Sequence, residues 1–439
     1  MKFKEINLKS EKRNNYNITY EIITPTHIGN GEKLPKTELA FFSKKRLIRK
    51  VDIDKFFSSI SPQEISKLSD SIKSAKNDYF NNIFSSRSIS SQELEKQYDL
   101  KLSYNYRDAD LHKIREIDSF IKTPLFQPYL PGSSIKGWLR TSILFYYMKR
   151  IKETNRYLDQ FNEQLDHVPR GGRNLYKMKR DIGDIFENPL FGNDPRQDIF
   201  RYFIVRDTKP VSYENLALGF IQIYHPKERR GEAYFESLKF SRYLELLQQN
   251  TKLQGAFSIV SDFSDYREEY LQSSNFENKL RDYIIKKVFE LPHEELFQKI
   301  ADISNILAKN IIRYNYNYLK TLNEKLSSPI IEPLIKFYEE TLYPIYDEVA
   351  KTDDQFLLRL GGATEWHSKT IGAELMEYFV NKGKIDFSTF YNRLNRLKLF
   401  KGGRMHKRFE LAPISRSYLV DNMNGPRMPL GWVRAKLEH

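Results

Sequence analysis

The chain has 439 residues, no cysteine, a formal charge of +14 at pH 7 and a pI of about 9.4. The lack of cysteine excludes disulfides, Cys-ligated zinc, iron–sulfur clusters and thiol catalysis, and so large a positive charge favours a polyanionic partner. Its 28 Tyr and 30 Phe form part of the core, but basic plus aromatic residues are also typical of single-stranded nucleic-acid binding. With no long apolar run and no signal peptide, the sequence predicts a cytoplasmic protein that does not enter a membrane.

The first elements in chain order are strands. Residues 16–23 alternate apolar and polar side chains, which predicts a strand. The sequence His27-Ile28-Gly29-Asn30-Gly31 then predicts a tight turn whose backbone can approach a ligand closely. Residues 37–49 predict a second strand and residues 51–60 a short helix. Residues 61–118 are polar and helix-prone, which predicts a helical insertion.

The stretch 127–150 predicts an amphipathic helix, because its apolar residues recur at three- and four-residue spacing. Ser133 and Ser134 are good N-cap residues, and Lys136 and Arg140 lie four apart on the opposite face. A helix start with free N–H groups, two hydroxyls and two cations is a candidate phosphate-binding site. Replacing Lys136 and Arg140 with Ala would then weaken RNA binding and flatten its salt dependence. The alternative is an ordinary capped core helix with solvated cations.

The middle of the chain combines strands and helices. Residues 169–173 form a basic loop and residues 188–192 predict a turn. The predicted strands are 201–206, 216–224, 232–238 and 256–261, and the predicted helical segments are 275–346 and 376–400.

A glycine pair lies within residues 356–370, at Gly361 and Gly362, followed by Thr364 and Lys369. This pattern offers close backbone approach, hydroxyl donors and a cation to a bound ligand. The alternative is a helix-to-helix turn with a packed Trp366.

The C-terminal stretch 390–436 carries eleven Lys or Arg and two acids. Within it, residues 401–408 form a glycine-hinged basic loop. The alternative is a solvated charge run, but the interleaved apolar residues favour charges presented by a folded scaffold.

Catalytic and metal-binding patterns are not evident in the sequence. Gly132 and Gly137 have the spacing of a P-loop, but Trp138 occupies the lysine position. The eight histidines are scattered without metal-ligand spacing. His27, His367 or His406 could act as a general base on an RNA 2′-hydroxyl, whereas a lone histidine in a turn is more often structural.

Four stretches in this order together resemble the RAMP proteins of type III CRISPR systems. They are TPTHIGNGE at 24–32, LPGSSIKGWLRTSI at 130–143, LRLGGATEWHSKTIG at 358–372 and PISRSYLV…MPLGW at 413–432. The chain resembles more closely the family of the fifth Csm subunit of the type III-A effector complex. Residues 61–118 and 240–350 carry no motif of that family.

The resemblance implies an α+β fold with two ferredoxin-like, RRM-related RAMP domains and helical insertions. We place an N-terminal RAMP domain at 1–265, with its helical insertion at about 61–118, and a helix-rich RAMP-like domain at 266–436. Residues 437–439 are interpreted as the remnant of a vector-encoded tag.

The resemblance also implies a function. The chain would be a non-catalytic subunit that caps the 3′ end of the CRISPR RNA and contributes to crRNA maturation in antiviral defence. Its partners would be single-stranded CRISPR RNA, the backbone RAMP subunit and other Csm-complex subunits, with a host nuclease for 3′ trimming as a further candidate. No cofactor, metal or membrane is implied.

By carry-over from the family motifs, fifteen residues are expected to bind RNA. They are His27, Gly29 and Gly31 after the first strand; Ser133, Ser134, Lys136 and Arg140 at the helix start; Gly361, Gly362, Thr364 and Lys369 in the glycine motif; and Arg404, Lys407, Arg408 and Arg416 in the C-terminal loop. The family's glycine-rich loop corresponds either to Gly361-Gly362 or to Gly402-Gly403.

The residues by themselves predict a basic α+β protein that binds the backbone of RNA and reads its bases little, because no RNP aromatic signature is evident. Two other classes stay open. One is a metal-independent CRISPR repeat endoribonuclease with His27 or His406 as the base. The other is a structural scaffold whose basic surface docks acidic subunits without RNA contact.

Overall fold

The computed structural model describes residues 12–42, 47–73, 100–103, 114–151, 153–169, 171–229, 232–326, 328–381, 385–397, 415–421 and 425–438. The described strands are β1 (Arg13–Ile22), β2 (Gly29–Pro35), β3 (Leu39–Phe42), β4 (Leu47–Lys50), β5 (Leu100–Ser103), β6 (Glu116–Phe120), β7 (Phe203–Val205), β8 (Leu216–Arg229), β9 (Glu232–Leu247), β10 (Lys252–Val260), β11 (Gln355–Arg359), β12 (Arg416–Asp421), β13 (Gly425–Met428) and β14 (Trp432–Leu437). The described α-helices are α1 (Ile53–Ser59), α2 (Pro62–Lys73), α3 (Gly132–Met148), α4 (Thr154–Asp166), α5 (Gly172–Asp181), α6 (Asp184–Phe191), α7 (Ser264–Tyr270), α8 (Phe276–Ile284), α9 (His293–Leu326), α10 (Glu332–Phe337), α11 (Tyr343–Val349), α12 (Gly372–Met376) and α13 (Phe387–Arg396). Short π turns extend α8, α10 and α12.

Strand β1 lies at the centre of one sheet, whose five described strands follow the order β11-β14-β1-β10-β7. It pairs antiparallel with β10, from Arg13↔Val260 to Glu21↔Lys252, and with β14 on its other side. Alternate side chains of β1 are buried, as expected for a strand with one face on the core. The strand predicted at 16–23 is therefore confirmed, and its sheet joins strands from both predicted domains.

The β8–β9 hairpin forms the centre of the second sheet. Its described strands follow the order β2-β6-β9-β8-β5-β4-β3, and β12 joins through β8 and carries β13. The hairpin register runs from Leu216↔Leu247 to Arg229↔Glu232, so the strands predicted at 216–224 and 232–238 are confirmed and are longer than predicted. Sheets and helices coexist as the α+β class requires, which confirms the predicted fold class.

The predicted helical insertion at 61–118 is only partly helical in its described residues. Helix α2 begins it, but β5 and the start of β6 also fall within it. Strand β5 pairs with β4 and, through Ser103↔Ala217, with β8. These partners are distant in sequence, so the pairing overrides the local helix propensity.

Helix α3 packs against the long helix α9, and a chain of hydrogen bonds fixes their contact. The indole Nε1 of Trp138 donates to Ser304 Oγ at 2.7 Å, and that hydroxyl donates to the Leu357 carbonyl of β11 at 2.8 Å. The helices predicted at 127–150 and 275–346 are confirmed. No described helix is long and apolar enough to cross a membrane.

Two local predictions are wrong. Helix α3 begins at Gly132 with Pro131 as its N-cap residue and without a side-chain cap, so Ser133 and Ser134 lie in the first turn instead of capping it. The turn predicted at 188–192 is the end of α6, which continues through Pro189. Packing explains why α6 continues through this stretch, because its residues Phe186, Leu190 and Phe191 are buried.

The two chain ends of the described structure meet in the first sheet. Leu437 pairs with Ile18, and the backbone N–H of Glu438 donates to the Asn17 carbonyl at 2.9 Å. Leu437 and Glu438, which were interpreted as part of a tag remnant, therefore hydrogen-bond beside β1 in this sheet.

Candidate nucleic-acid interface

Three of the stretches singled out in the sequence surround one cleft of about 570 Å³. The cleft lies between the first half of α3, the turn after β1 and the loop after β11. Of the predicted RNA-binding residues, it is lined by Gly29, Ser133, Ser134, Arg140, Gly361, Gly362 and Lys369. The fold therefore brings together motifs that are far apart in the chain.

The turn after β1 is held from two sides. The backbone of Thr24 donates to the Trp432 carbonyl at 3.1 Å, and the Trp432 N–H donates back to Thr24 Oγ1 at 2.9 Å. On the other side, Thr26 exchanges two backbone hydrogen bonds with Leu247 at 2.9 and 3.1 Å. These bonds fix the turn as a rigid wall of the cleft.

His27 is the buried anchor of this turn. Its Nδ1 lies 2.8 Å from the Glu245 carbonyl oxygen, which requires the proton on Nδ1. Burial lowers the pKa of His27, more than the Glu245 carbonyl raises it, so the ring is neutral near pH 7. Nε2 then has no proton, and it faces the backbone of Gly29 instead of solvent. His27 therefore positions the turn.

The glycine loop after β11 closes onto the same turn. The N–H of Gly362 donates to the His27 carbonyl at 2.6 Å. At Gly361 the φ angle is +88°, and a Cβ would collide with that same carbonyl oxygen. Only glycine satisfies both conditions. Thr364 is buried and donates to the Gly361 carbonyl at 2.9 Å, so its hydroxyl braces the loop from inside.

A buried guanidinium supports the loop from below. Arg359 donates to the Leu430 carbonyl at 3.0 Å and to Ser368 Oγ at 2.8 Å, and it pairs with Glu365 at 3.4 Å. Glu365 in turn accepts a hydrogen bond from the Ser417 N–H at 2.7 Å. Both charges are compensated inside the protein, which is the condition for burying them.

The start of α3 is anchored by the segment after β7. A Cβ on Gly132 would collide with the Val205 carbonyl oxygen, and the Gly132 N–H donates to Asp207 Oδ1 at 2.7 Å. One N-terminal amide is thus already satisfied. The exposed Ser133 and the half-buried Ser134 present the next turn to the cleft.

The two cations of α3 differ from the prediction that they are open for phosphate. Arg140 pairs with Glu187 at 2.8 Å and Asp198 at 2.7 Å, and its guanidinium lies 4.2 Å from the Phe191 ring centre. Lys136 is half-buried and lies outside the cleft lining. Desolvation lowers the pKa of Lys136, opposed by Asp198.

Three comparisons with known proteins bear on this arrangement. The RAMP superfamily model matches residues 19–312, more than half of the chain. The chain belongs to the RAMP superfamily. The expected family resemblance is thereby confirmed for this RAMP protein.

Two relatives match this RAMP protein, one over nearly all of its length and one over about half of it. It is 24% identical to the CRISPR system Cms protein Csm5 of Methanocaldococcus jannaschii, over 95% of this chain and 88% of the relative. It is 25% identical to the Csm5 protein of Streptococcus thermophilus, over 55% of this chain and 62% of the relative. The resemblance to Csm5 proteins is therefore shown in overall sequence as well as in motif order.

Solved structures show the same fold. A chain of a Csm–crRNA–target RNA ternary complex from a type III-A CRISPR–Cas system superposes with a TM-score of 0.64 and 19% identity, covering 96% of this chain and all of that one. The crystal structure of T. onnurineus Csm5 superposes with a TM-score of 0.59 and 16% identity, covering 94% of this chain and 99% of that one.

The fourth motif, at 413–432, supports the cleft through Gly431. Gly431 has a φ angle of +92°, its carbonyl accepts from the Leu360 N–H at 2.7 Å, and its N–H donates to Pro25 at 3.2 Å. The glycine loop and the fourth motif therefore both hydrogen-bond to the turn after β1, and the α3 motif faces that turn across the cleft.

Other predicted residues of the RAMP protein do not line the cleft. Gly31 lies in the exposed part of β2, and Arg416 begins β12 with 1% exposure, 4.2 Å from the Tyr318 ring centre. The buried guanidinium of Arg416 is not offered to a ligand in this structure. Arg404, Lys407 and Arg408, together with Gly402-Gly403 and His406, lie outside the described residues.

Two small residues of α3 that line the cleft, Gly137 and Thr141, are not among the predicted RNA-binding residues. Ser133, Gly137 and Thr141 are four apart, line the cleft, and give the backbone of a ligand room to approach. Among the described residues, no heavy atom lies within 4 Å of a Cβ placed on Gly137. Their four-residue spacing in the sequence indicates a shared helix face, whereas the prediction was based on the cations Lys136 and Arg140 of the neighbouring face.

The remaining chemistry of the described residues is structural. His367 has 1% exposure, its Nε2 lies 3.0 Å from Asn315 Oδ1, and burial lowers its pKa far below the ordinary value. No described group of three or more His, Asp or Glu is placed to hold a metal ion.

Proposed function

We propose that this RAMP protein is the non-catalytic subunit of a type III-A Csm effector complex that holds the 3′ part of the CRISPR RNA in the cleft. The observation that carries the proposal is the convergence of the turn after β1, the start of α3 and the glycine loop on one cleft. Two relatives are named Csm5, and one structural neighbour comes from a Csm–crRNA–target RNA complex.

The cleft is suited to a sugar–phosphate backbone. Glycines and small side chains line it, so amide and hydroxyl groups can come within hydrogen-bond distance of phosphate and ribose oxygens. Its Arg140 and Arg359 are paired with acids, and Lys369 is exposed at its edge. The ring of Trp138 is buried and donates to Ser304, so it is not a stacking platform for a base. We infer recognition by shape with little base discrimination.

In this proposal the subunit ends the filament of backbone RAMP subunits in the prokaryotic cytoplasm. It contacts other Csm subunits, and a host nuclease trims the RNA that extends beyond it. Maturation then follows from which nucleotides the cleft protects, and the protein itself needs no cofactor.

The endoribonuclease alternative has no support in the described residues. A general base must reach the proton it abstracts, whereas His27 is 4% exposed and its Nε2 faces Gly29. We expect purified protein to leave CRISPR repeat RNA intact in EDTA. New cleaved ends that a His27→Ala or His406→Ala variant abolishes would establish the enzyme instead.

The decisive experiment uses Gly137, whose position is open and faces the cleft. A Gly137→Glu variant adds a negative charge in the cleft at a position where a Cβ meets no described neighbour within 4 Å, and Gly137→Ala is the matched control. Each tagged protein is isolated from its native host and the RNA that accompanies it is sequenced.

Wild type and Gly137→Ala are expected to carry short RNAs with a shared repeat-derived 5′ end and ragged 3′ ends. Gly137→Glu is expected to lose them. Random or ribosomal fragments with wild type would overturn the CRISPR assignment. If Gly137→Glu and Gly137→Ala recover equal amounts of CRISPR RNA, the cleft does not hold the RNA. That result would favour the structural scaffold that contacts only protein.

A further inference from the structure

A second concave site lies at the opposite end of α3 from the cleft. This aromatic pocket has a volume of about 440 Å³. Its walls are Tyr146, Tyr147 and Arg150 at the end of α3, Phe276, Lys279 and Tyr283 on α8, Lys287 just after α8, and Lys299 on α9. None of these residues is among the predicted RNA-binding residues, because they are collected from three separate segments.

The rings of the aromatic pocket are unusually open. Tyr283 is 52% exposed and Phe276 is 36% exposed, although both side chains are largely apolar. The ring of Tyr283 meets that of Tyr147 edge-on, with centroids 6.1 Å apart. Exposed aromatic rings beside a buried one leave π faces available for a planar ligand.

The cations of the aromatic pocket contrast with those of the cleft. No described carboxylate is within ion-pair distance of Arg150, Lys279 or Lys287. Asp282, the acid next to Tyr283, is occupied by Arg267 and Lys286, each at 2.6 Å.

Tyr146 holds two of the pocket's cations in place. The Arg150 guanidinium lies 3.6 Å from its ring centre, and Lys299 Nζ lies 3.0 Å from its hydroxyl. Glu153 is the carboxylate among the pocket's described lining residues. Four cations against one carboxylate give the pocket lining an excess of positive charge.

We propose that the aromatic pocket binds a nucleotide of single-stranded RNA, with its base against Tyr283 and Phe276 and its phosphates near Lys279, Lys287 and Arg150. Stacking rings within a ring of cations is the combination by which proteins hold single strands without reading sequence. From Gly137 to Tyr147 the axis of α3 rises roughly 15 Å. At 3.6 residues per turn, Tyr146 and Arg150 lie on a different face of α3 from Gly137, so the pocket is a contact separate from the cleft.

An acidic peptide is the competing occupant. It would satisfy the cations, but it would not use two exposed π faces, and no backbone edge is presented by the helices that form the pocket. The observations therefore favour RNA. The inference rests on the proposed function only in taking RNA as the partner, and it adds a second contact outside the cleft.

The test uses the full-length protein freed of bound RNA and a 12-nucleotide oligouridylate that carries 4-thiouridine. Affinity is measured by fluorescence anisotropy, and photo-crosslinked peptides are identified by mass spectrometry. Tyr283→Ala and Lys287→Ala are compared with matched controls, Tyr176→Ala, an exposed tyrosine on α5, and Lys286→Ala, the neighbour already paired with Asp282.

We expect crosslinks within residues 276–287 that persist in the Gly137→Glu variant. Tyr283→Ala should weaken binding about tenfold, within the range for one base stacked on an aromatic side chain. Lys287→Ala should flatten the slope of log affinity against log salt by about 0.7. Both controls should match wild type.

Crosslinks confined to residues 133–141 and 361–369, with Tyr283→Ala binding like wild type, would overturn the pocket and leave the cleft intact. A random glutamate–tyrosine copolymer that binds wild type but not Lys287→Ala, while oligouridylate binds both equally, would overturn it in favour of a protein partner. Failure of the cleft alone would appear as crosslinks at 276–287 and none at 133–141.

Discussion

The cleft and the aromatic pocket, at the two ends of α3, offer a polyanion different kinds of contact. At its first half, backbone contacts form the cleft, and the arginines there are paired with Glu187, Asp198 and Glu365. At its end, the aromatic pocket presents exposed rings and three cations, Arg150, Lys279 and Lys287, that have no described carboxylate within ion-pair distance.

The cleft therefore depends mainly on its shape, and the pocket depends mainly on its charge. A cleft formed by interlocking backbone depends on steric fit, because its amides and glycines cannot adjust without moving strands β11 and β14. A pocket formed by exposed side chains depends on charge and stacking, so changes there should affect affinity more than folding.

Gly361→Ala should produce the largest effect, on stability. The added Cβ meets the His27 carbonyl in a backbone conformation with a φ of +88°. We expect the free energy of unfolding, from urea titration, to fall by about 3 kcal/mol. Gly137→Ala, in open space on α3, should instead raise it by up to about 1 kcal/mol.

The aromatic pocket supplies the other half of that comparison. Tyr283→Ala should change the free energy of unfolding by less than about 0.5 kcal/mol, because half of this side chain is already in water. A loss as large as that of Gly361→Ala would break the contrast between the two ends.

Arg140→Ala should lower the free energy of unfolding by about 2 kcal/mol, because Glu187 and Asp198 would lose their shared partner. Lys136→Ala serves as the control on the same helix and should cost less. Because Arg140 is already neutralised, we expect its removal to change the salt slope of RNA binding little. A slope flattened by a full phosphate contact would restore the sequence-based hypothesis for Arg140.

Acid should destabilise the cleft side of the molecule. Burial lowers the pKa of both His27 and His367, so the unfolded chain binds their protons more readily. Their contribution is complete above the unfolded pKa of about 6.5 and is lost as pH falls below it. For His367 the loss can reach about 1.4 kcal/mol per pH unit.

Urea titrations at pH 7.5, 6.5 and 5.5 would measure this effect, and His367→Gln should have a shallower pH dependence than wild type. The aromatic pocket has no histidine in its described lining. Oligouridylate crosslinking at 276–287 should therefore be unaffected between pH 7.5 and 6.5. An unchanged free energy of unfolding between pH 7.5 and 5.5 would contradict the burial of these two rings.

The smallest expected effect concerns salt. Lys369→Ala at the cleft edge and Lys287→Ala at the pocket should each reduce the salt slope of RNA binding by about 0.7, and the double variant by about 1.4. Additivity is expected for contacts at separate places. A double variant no weaker in slope than either single one would mean that the two lysines share one phosphate.

Local sequence patterns determined much of this protein. Alternation identified β1 and three-to-four periodicity identified α3, because both patterns depend only on which side chains leave water along one element. Glycines at 361 and 362 were recognised as a place of close backbone approach, and the motif order identified the RAMP family. The positive charge favoured a polyanion, although a count of charges does not show which of them are paired.

Tertiary structure alone decided which residues form the two sites. Strands β11 and β14 escaped prediction because β11 is buried on both faces and lacks alternation, and because their partners are distant in the chain. Arg140 looked open for phosphate until α6 and the segment before β7 brought two carboxylates to it. Tyr283 and Lys287 come together with Tyr146 only when α8 packs beside α3, since side-chain neighbours across elements depend on contacts that no local pattern encodes.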